Sequence, residues 1–166
     1  GEQGEVAISF GSLDELNASF GRLLAAPDFP GELRPFLERV QNVLFEAGAA
    51  LASLDAGPWD ALFREESDRL EREIDAWEGN LPPLTRFVLP GGAPSAAGLH
   101  WARTVARRAE SFAVEAAGAD PSRVPLLTWL NRLSDALFVA ARTANRLAGA
   151  SEVYWQSRAG PGGAAG

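Results

Sequence analysis

Apolar residues recur at helical spacing through most of this chain, most regularly between residues 33 and 54. Leu33, Leu37, Val40, Leu44, Ala47, Leu51 and Leu54 alternate steps of four and three until Gly57 and Pro58 interrupt them. That is the 3.5-residue period of a helix packing one stripe against its neighbours. Leu126, Leu130, Leu133, Leu137, Ala140, Ala144 and Leu147 repeat the pattern after a turn at Asp120, Pro121 and Ser122. An earlier helix is predicted from Leu13, Leu16, Phe20 and Leu23, with Ser12 and Glu15 as a capping box, Asp14 adding charge to the first turn, and a stop near Ala26 before Pro27. Phe63, Leu70, Ile74 and Trp77 mark another after Asp60, and its run of charge from Arg64 to Glu73 reads as a solvated face.

The remaining helix, predicted from an N-cap at Ser95 to near Gly118, carries two rows. Leu99, Ala102, Ala106, Ala109, Ala113 and Ala116 form a seam of small residues that lets a partner helix come close. His100, Arg103, Arg107 and Glu110 step by three and four beside that seam. Read plainly, the charged row is an exposed ion-paired face, with Arg107 and Glu110 worth about 0.2–0.5 kcal/mol as an i,i+3 pair. What argues for more is the segment that delivers the chain to this helix. Residues 79–94 hold four prolines and three glycines, so they are not helical, yet they include Leu84, Phe87, Val88 and Leu89. Structureless connections beyond about 12–15 residues are uncommon in a compact domain and are usually functional or disordered, and these apolar residues argue against disorder.

Five helices joined mostly by short turns predict an all-α protein, a five-helix antiparallel bundle over residues 12–155. Residues 1–11 show no helical period and read as an irregular N-terminal segment. After Trp155 the Gly-, Pro- and Ala-rich residues 156–166 have nothing to bury and are expected to be a mobile tail.

Composition narrows the chemistry. The chain has 166 residues and a net charge of −7, from 22 acidic and 15 basic residues. Every basic residue is Arg. That balance argues against sequence-independent nucleic-acid binding, while clustered arginines suit a phosphorylated small molecule, whose geometry the guanidinium fork matches. No apolar run is long enough to span a membrane and no secretory signal is visible, so a cytoplasmic location is expected. With no Cys and a single His, a thiolate nucleophile and a Cys- or His-cluster metal site within one chain are excluded. His100 reads as a packing residue.

Several motifs occur together in one order: Ser12-Leu-Asp-Glu-Leu-Asn17, Phe87-Val-Leu-Pro-Gly-Gly92, Leu99-His-Trp-Ala-Arg-Thr-Val-Ala-Arg-Arg-Ala-Glu110 and Asn131-Arg-Leu-Ser-Asp-Ala-Leu-Phe138. In order and spacing they resemble the signatures of the PduO-type ATP:cob(I)alamin adenosyltransferases, from about Phe10 to Trp155. The resemblance implies a ferritin-like five-helix bundle assembling as a homotrimer, with ATP and a corrinoid meeting between neighbouring subunits. It also implies the reaction: cob(I)alamin attacks the 5′ carbon of ATP, and triphosphate leaves with Mg2+ bound. Phe87 matches the aromatic that packs beneath the corrin ring and displaces its lower axial base. A four-coordinate Co(II) has no axial donor raising its acceptor orbital, and so is more easily reduced. Arg103 and Asp14 match a pair bridging two subunits beside the cobalamin site. Arg107, Arg108 and Glu110 match the nucleotide segment, and Asn131 a further nucleotide contact. Arg132 and Asp135 read as a structural set between the last two helices. Beyond the other copies of the trimer, ATP and cob(I)alamin, the implied partner is an adenosylcobalamin-dependent enzyme or a reductase.

The chain departs from the family at its start. The family's Thr-, Gly-, Asp- and Lys-rich ATP loop is not visible in residues 1–11, which contain no Thr, Lys or Asp, and Ile8-Ser-Phe-Gly11 stands where the family has Glu-Ala-Tyr-Gly. Ser111 replaces an Arg that usually follows the arginine motif. With no starting Met, the expectation is that this loop lies before Gly1. The alternatives are a corrinoid-binding or handover module that has lost ATP chemistry, and a self-associating bundle whose charged row is only solvated.

Overall fold

The computed structural model describes residues 2–160, of which most lie in five helices: α1 (Glu2–Ala25), α2 (Arg34–Ala52), α3 (Asp60–Glu78), α4 (Pro94–Ala117) and α5 (Val124–Ala148). Single 3-10 turns, each containing or following a Pro, lead into α2, α3 and α5. Neighbours run in the order α2, α1, α4, α5, α3. The outer helices α2 and α3 are joined by side chains. Arg39 of α2 pairs with Glu66 at 3.2 Å and with Glu73, and Phe36 meets Trp77 edge to face with ring centres 5.0 Å apart. Glu66 and Glu73 thus belong to an interhelical set, whereas the sequence pattern placed them on a solvated face.

The predicted stripes form one core. Leu16, Phe20, Leu37, Leu70, Leu99, Leu130, Leu133 and Leu137 are fully buried. The small seam is where α4 meets its neighbours, with Ala102, Ala106, Ala109 and Ala113 buried completely. Helix α5, flanked by α4 and α3, is buried well beyond its predicted stripe, and Trp129 packs on Phe63 of α3 with ring centres 5.6 Å apart.

Several predicted boundaries are corrected. Residues 2–11 are not irregular: α1 starts at Glu2, and Ser12, expected to cap it, lies buried inside it. The repeat continues backward from Leu13 through Ser9, fully buried, to half-buried Val6. A serine in a core position, with Gly4 and Gly11 nearby, masks the period. Helix α2 ends at Ala52, so Leu54 is fully exposed. Helix α4 starts at Pro94, ahead of Ser95; the Ser95 amide donates to the Asp28 carboxylate in the α1–α2 loop at 2.9 Å, so the loop caps the helix. The predicted tail is irregular through residue 160, and its remainder lies outside the described residues.

Candidate functional site

The connector that precedes α4 is held in place from α5. The Asn145 side chain, buried near the end of α5, accepts from the Ala93 amide at 2.8 Å and donates to the Gly91 carbonyl at 3.1 Å. Gly92 between them has φ +103°, and a Cβ there would overlap the Asn145 amide, so this turn requires glycine. Upstream, Arg142 of α5 donates to the Pro82 carbonyl at 2.9 Å and to both oxygens of Glu152, 3.0–3.1 Å away. Its side chain is only 4% exposed. Glu152 belongs to the segment that leaves α5 after the left-handed Gly149 and doubles back along the connector. There Val88 and Tyr154 form an isolated antiparallel bridge, with Leu89 N–H to the Val153 carbonyl and Trp155 N–H to the Phe87 carbonyl, both 2.8 Å. The connector is therefore pinned at its start, middle and end. Three of its apolar side chains, Leu84, Phe87 and Leu89, face outward, while Leu81 and Val88 are half-buried. Phe87 is 60% exposed, and with Leu84, Leu89, Val153 and Trp155 it makes an apolar ledge.

A second feature lies between α3, α4 and α5, where a cavity of about 540 Å³ is lined by Arg103, Arg107 and Glu110 from α4, Asn131, Arg132, Asp135 and Phe138 from α5, and Ile74 and Glu78 from α3. That size falls within the usual range for small-molecule sites, about 300–1,000 Å³. An open recess shares Arg107 and Glu110 with it and adds Thr104, Arg108 and Ser111. Three members of the row read from sequence, Arg103, Arg107 and Glu110, thus line a cavity, and among the described residues none of them is ion-paired, although Arg107 remains exposed.

Charge within this site is uneven. Arg132 and Asp135 neutralise each other at 3.0 Å within α5, which corrects the expectation of a set spanning two helices, and Arg132 also donates to the Asn131 side chain at 2.7 Å. Arg108 pairs with Glu15 of α1. Among the described residues Arg103 and Arg107 have no ion-pair partner, and the buried Nε of Arg103 meets no acceptor. Burial, and then the Arg107 charge one turn away, push the Arg103 pKa down. Two unpaired guanidiniums one turn apart on the wall of one cavity repel each other and favour an anion between or beside them. His100 is buried next to Phe138, ring centres 5.9 Å apart, with neither nitrogen bonded. Burial, reinforced by Arg103 and opposed by Glu152, lowers its pKa below the ordinary 6.5, so the ring is neutral at neutral pH and serves as packing.

Of the residues singled out from sequence, Arg103, Arg107, Glu110 and Asn131 come together in the cavity, and Arg108 joins through the adjoining recess. Two do not. Phe87 stands on the ledge, outside both recesses, and exposed Asp14 lies beside a small notch between α1 and α2 with Phe10, Phe45 and Gly48. Arg142, Asn145 and Trp155 were not read as part of the site from sequence. For the first two the available signal was their place in the largely apolar second half of the helix, from Ala136 to Ala148.

Fold and site together define a helical-bundle protein with an arginine-lined recess and a separate apolar ledge. The sequence profile described as cobalamin adenosyltransferase matches residues 5–144, and the chain belongs to that family. It is 40% identical over 149 residues to a cobalamin adenosyltransferase of Cupriavidus metallidurans, covering 90% of this chain and 79% of the relative. It is 42% identical over 144 residues to the corrinoid adenosyltransferase of Mycobacterium tuberculosis, covering 83% and 75%. The fold is similar to a phenylalanine-to-histidine variant of the PduO-type ATP:corrinoid adenosyltransferase from Lactobacillus reuteri complexed with cobalamin and ATP, at TM-score 0.79 and 30% identity over 92% of this chain and 84% of that one. An arginine-to-lysine variant of the same enzyme complexed with ATP matches at TM-score 0.81, with 30% identity and coverage of 92% and 87%.

Proposed function

We propose that this chain transfers the 5′-deoxyadenosyl group of ATP to the cobalt of a reduced corrinoid, and that each active site is shared between copies of the chain in a homotrimer. Co(I) attacks the 5′ carbon: a cobalt–carbon bond forms, the bond from that carbon to the triphosphate oxygen breaks, and cobalt ends as Co(III). The observation that carries the reading is the pair of unpaired guanidiniums, Arg103 and Arg107, in the cavity between α3, α4 and α5. Arg107 and Arg108 hold the triphosphate and stabilise the charge that develops as it leaves. Glu110 and Asn131 complete the nucleotide contacts.

Arg103 takes Asp14 of a neighbouring copy as its acidic partner. Within one chain the two line different recesses, and Asp14 shares its notch with exposed Phe10 and Phe45, an apolar surface suited to self-association. Phe87 supplies the apolar face beneath the corrin and displaces its lower axial base, which an outward-facing ring on a pinned connector is placed to do. Among the described residues no group of three or more His, Cys, Asp or Glu side chains is gathered to hold a metal. Mg2+ binds through one or two carboxylates plus phosphate oxygens, which fits entry with the nucleotide and support from Glu78 or Glu110. Among the described residues no helix is long and apolar enough to cross a membrane. We place the reaction in the cytoplasm, with a reductase supplying Co(I) and an adenosylcobalamin-dependent enzyme consuming the product.

The test is anaerobic incubation with ATP, Mg2+ and cob(I)alamin. Adenosylcobalamin and triphosphate are expected in equal amounts. Cobalamin binding with neither product would make the chain a handover module instead.

A further inference from the structure

The three clamps described above hold the backbone of the connector, and none of them touches the ring of Phe87. The Trp155 side chain does. Trp155 lies against that ring with centres 5.9 Å apart and planes at 60°, the edge-to-face arrangement. The same residue donates its backbone N–H to the Phe87 carbonyl, so Trp155 fixes both the main chain and the ring at this position. Next to it, Arg86 lies over the Tyr154 ring at 4.6 Å, which ties the preceding pair of residues in the same way. Phe87 needs such support. An aromatic side chain 60% exposed on an irregular segment is otherwise free to change rotamer, and an apolar face only excludes an axial ligand if it stays where the ligand would bind. Trp155 is itself 40% exposed, so its indole also widens the ledge beside the ring.

We infer that Trp155 is a positioning residue for the corrinoid half of the reaction: it holds the Phe87 ring in the orientation that keeps the lower axial base off cobalt. The inference rests on the reading that Phe87 faces the corrin. It assigns a role to the segment after α5, which lies beyond the part of the chain matched by the family profile.

The experiment compares Trp155→Ala, Trp155→Leu, Trp155→Phe and Phe87→Ala in the full chain. With cob(II)alamin and saturating ATP, electron paramagnetic resonance gives the ratio of four- to five-coordinate cobalt, and steady-state assays give kcat and the KM for ATP. Trp155→Ala and Trp155→Leu are expected to lower the coordination ratio roughly three- to tenfold, the worth of an edge-to-face contact. A loss confined to the corrinoid half leaves the KM for ATP within about twofold. Trp155→Phe, which keeps an aromatic edge, recovers most of the wild-type ratio. Hydrogen exchange at Leu89 and Trp155 reports whether the segment after α5, a strap along the connector, stays docked. Wild-type ratios in the Ala and Leu variants overturn the inference while leaving the role of Phe87 intact if Phe87→Ala still loses the signal. A wild-type ratio in Phe87→Ala overturns the underlying reading instead. A reduced ratio accompanied by free exchange at both amides, in the Leu variant as in the Ala variant, assigns the effect to the backbone and also overturns the inference.

Discussion

Arg107→Ala is expected to lower kcat/KM for adenosyl transfer by about 10²–10³-fold, the usual consequence of removing one donor that stabilises developing negative charge. Arg107 lines both the cavity and the adjoining recess, has no ion-pair partner among the described residues, and sits one turn from Arg103, whose charge it disfavours. A guanidinium placed against its own electrostatics, without a carboxylate to relieve it, contributes little to folding. Stability should therefore stay within about 0.5 kcal/mol of wild type, as for surface substitutions generally. Arg107→Lys keeps the charge but loses the planar fork, and should fall between the two. Steady-state formation of adenosylcobalamin, with urea unfolding of the same preparations, separates these effects. A wild-type rate in Arg107→Ala would return the charged row to the status of a solvated face.

The largest effect on stability is expected at Arg142. Its side chain is 4% exposed and that of Glu152 9%, so the pair is out of water, and Arg142 also satisfies the Pro82 carbonyl. Removing one member of such a pair strands the other, at a cost of about 3–5 kcal/mol. Arg142→Ala should show this in part as global destabilisation and in part as release of the strap, with fast hydrogen exchange at Leu89 and Trp155. Replacing both partners with apolar residues, Arg142→Met with Glu152→Leu, should recover most of the loss, because a buried ion pair is often no better than well-packed hydrocarbon. If the single variant unfolds like wild type and both amides stay protected, Arg142 is not the anchor of the connector.

What sequence made legible, and what it hid, has a physical pattern. The heptads of α2 and α5 were plain because leucines fill their buried positions, and the alanine seam of α4 because small residues recurred at helical spacing. The start of α1 was hidden because Ser9 occupies a core position. Arg103, Arg107 and Glu110 were legible as a row at helical spacing on one helix, and Asn131 joined them through the family resemblance. Arg142, Asn145 and Trp155 were not, since each acts on a partner far along the chain, such as Asn145 on Gly91 and Ala93 or Trp155 on Phe87. No periodicity records a pairing between a connector and a strap. Asp14 and Phe87 were named from the family resemblance, and one copy of the chain brings neither of them into the arginine cavity.

Whether that cavity is completed by a second copy is tested most directly by co-expressing two variants, Asp14→Ala and Arg107→Ala, each nearly inactive alone. In a closed assembly whose interface joins different faces of neighbouring copies, random mixing leaves about one site in four with both residues intact. The account predicts that the mixture regains activity near that fraction. A mixture as inactive as its components would contradict it, because the two residues would then have to act within one chain.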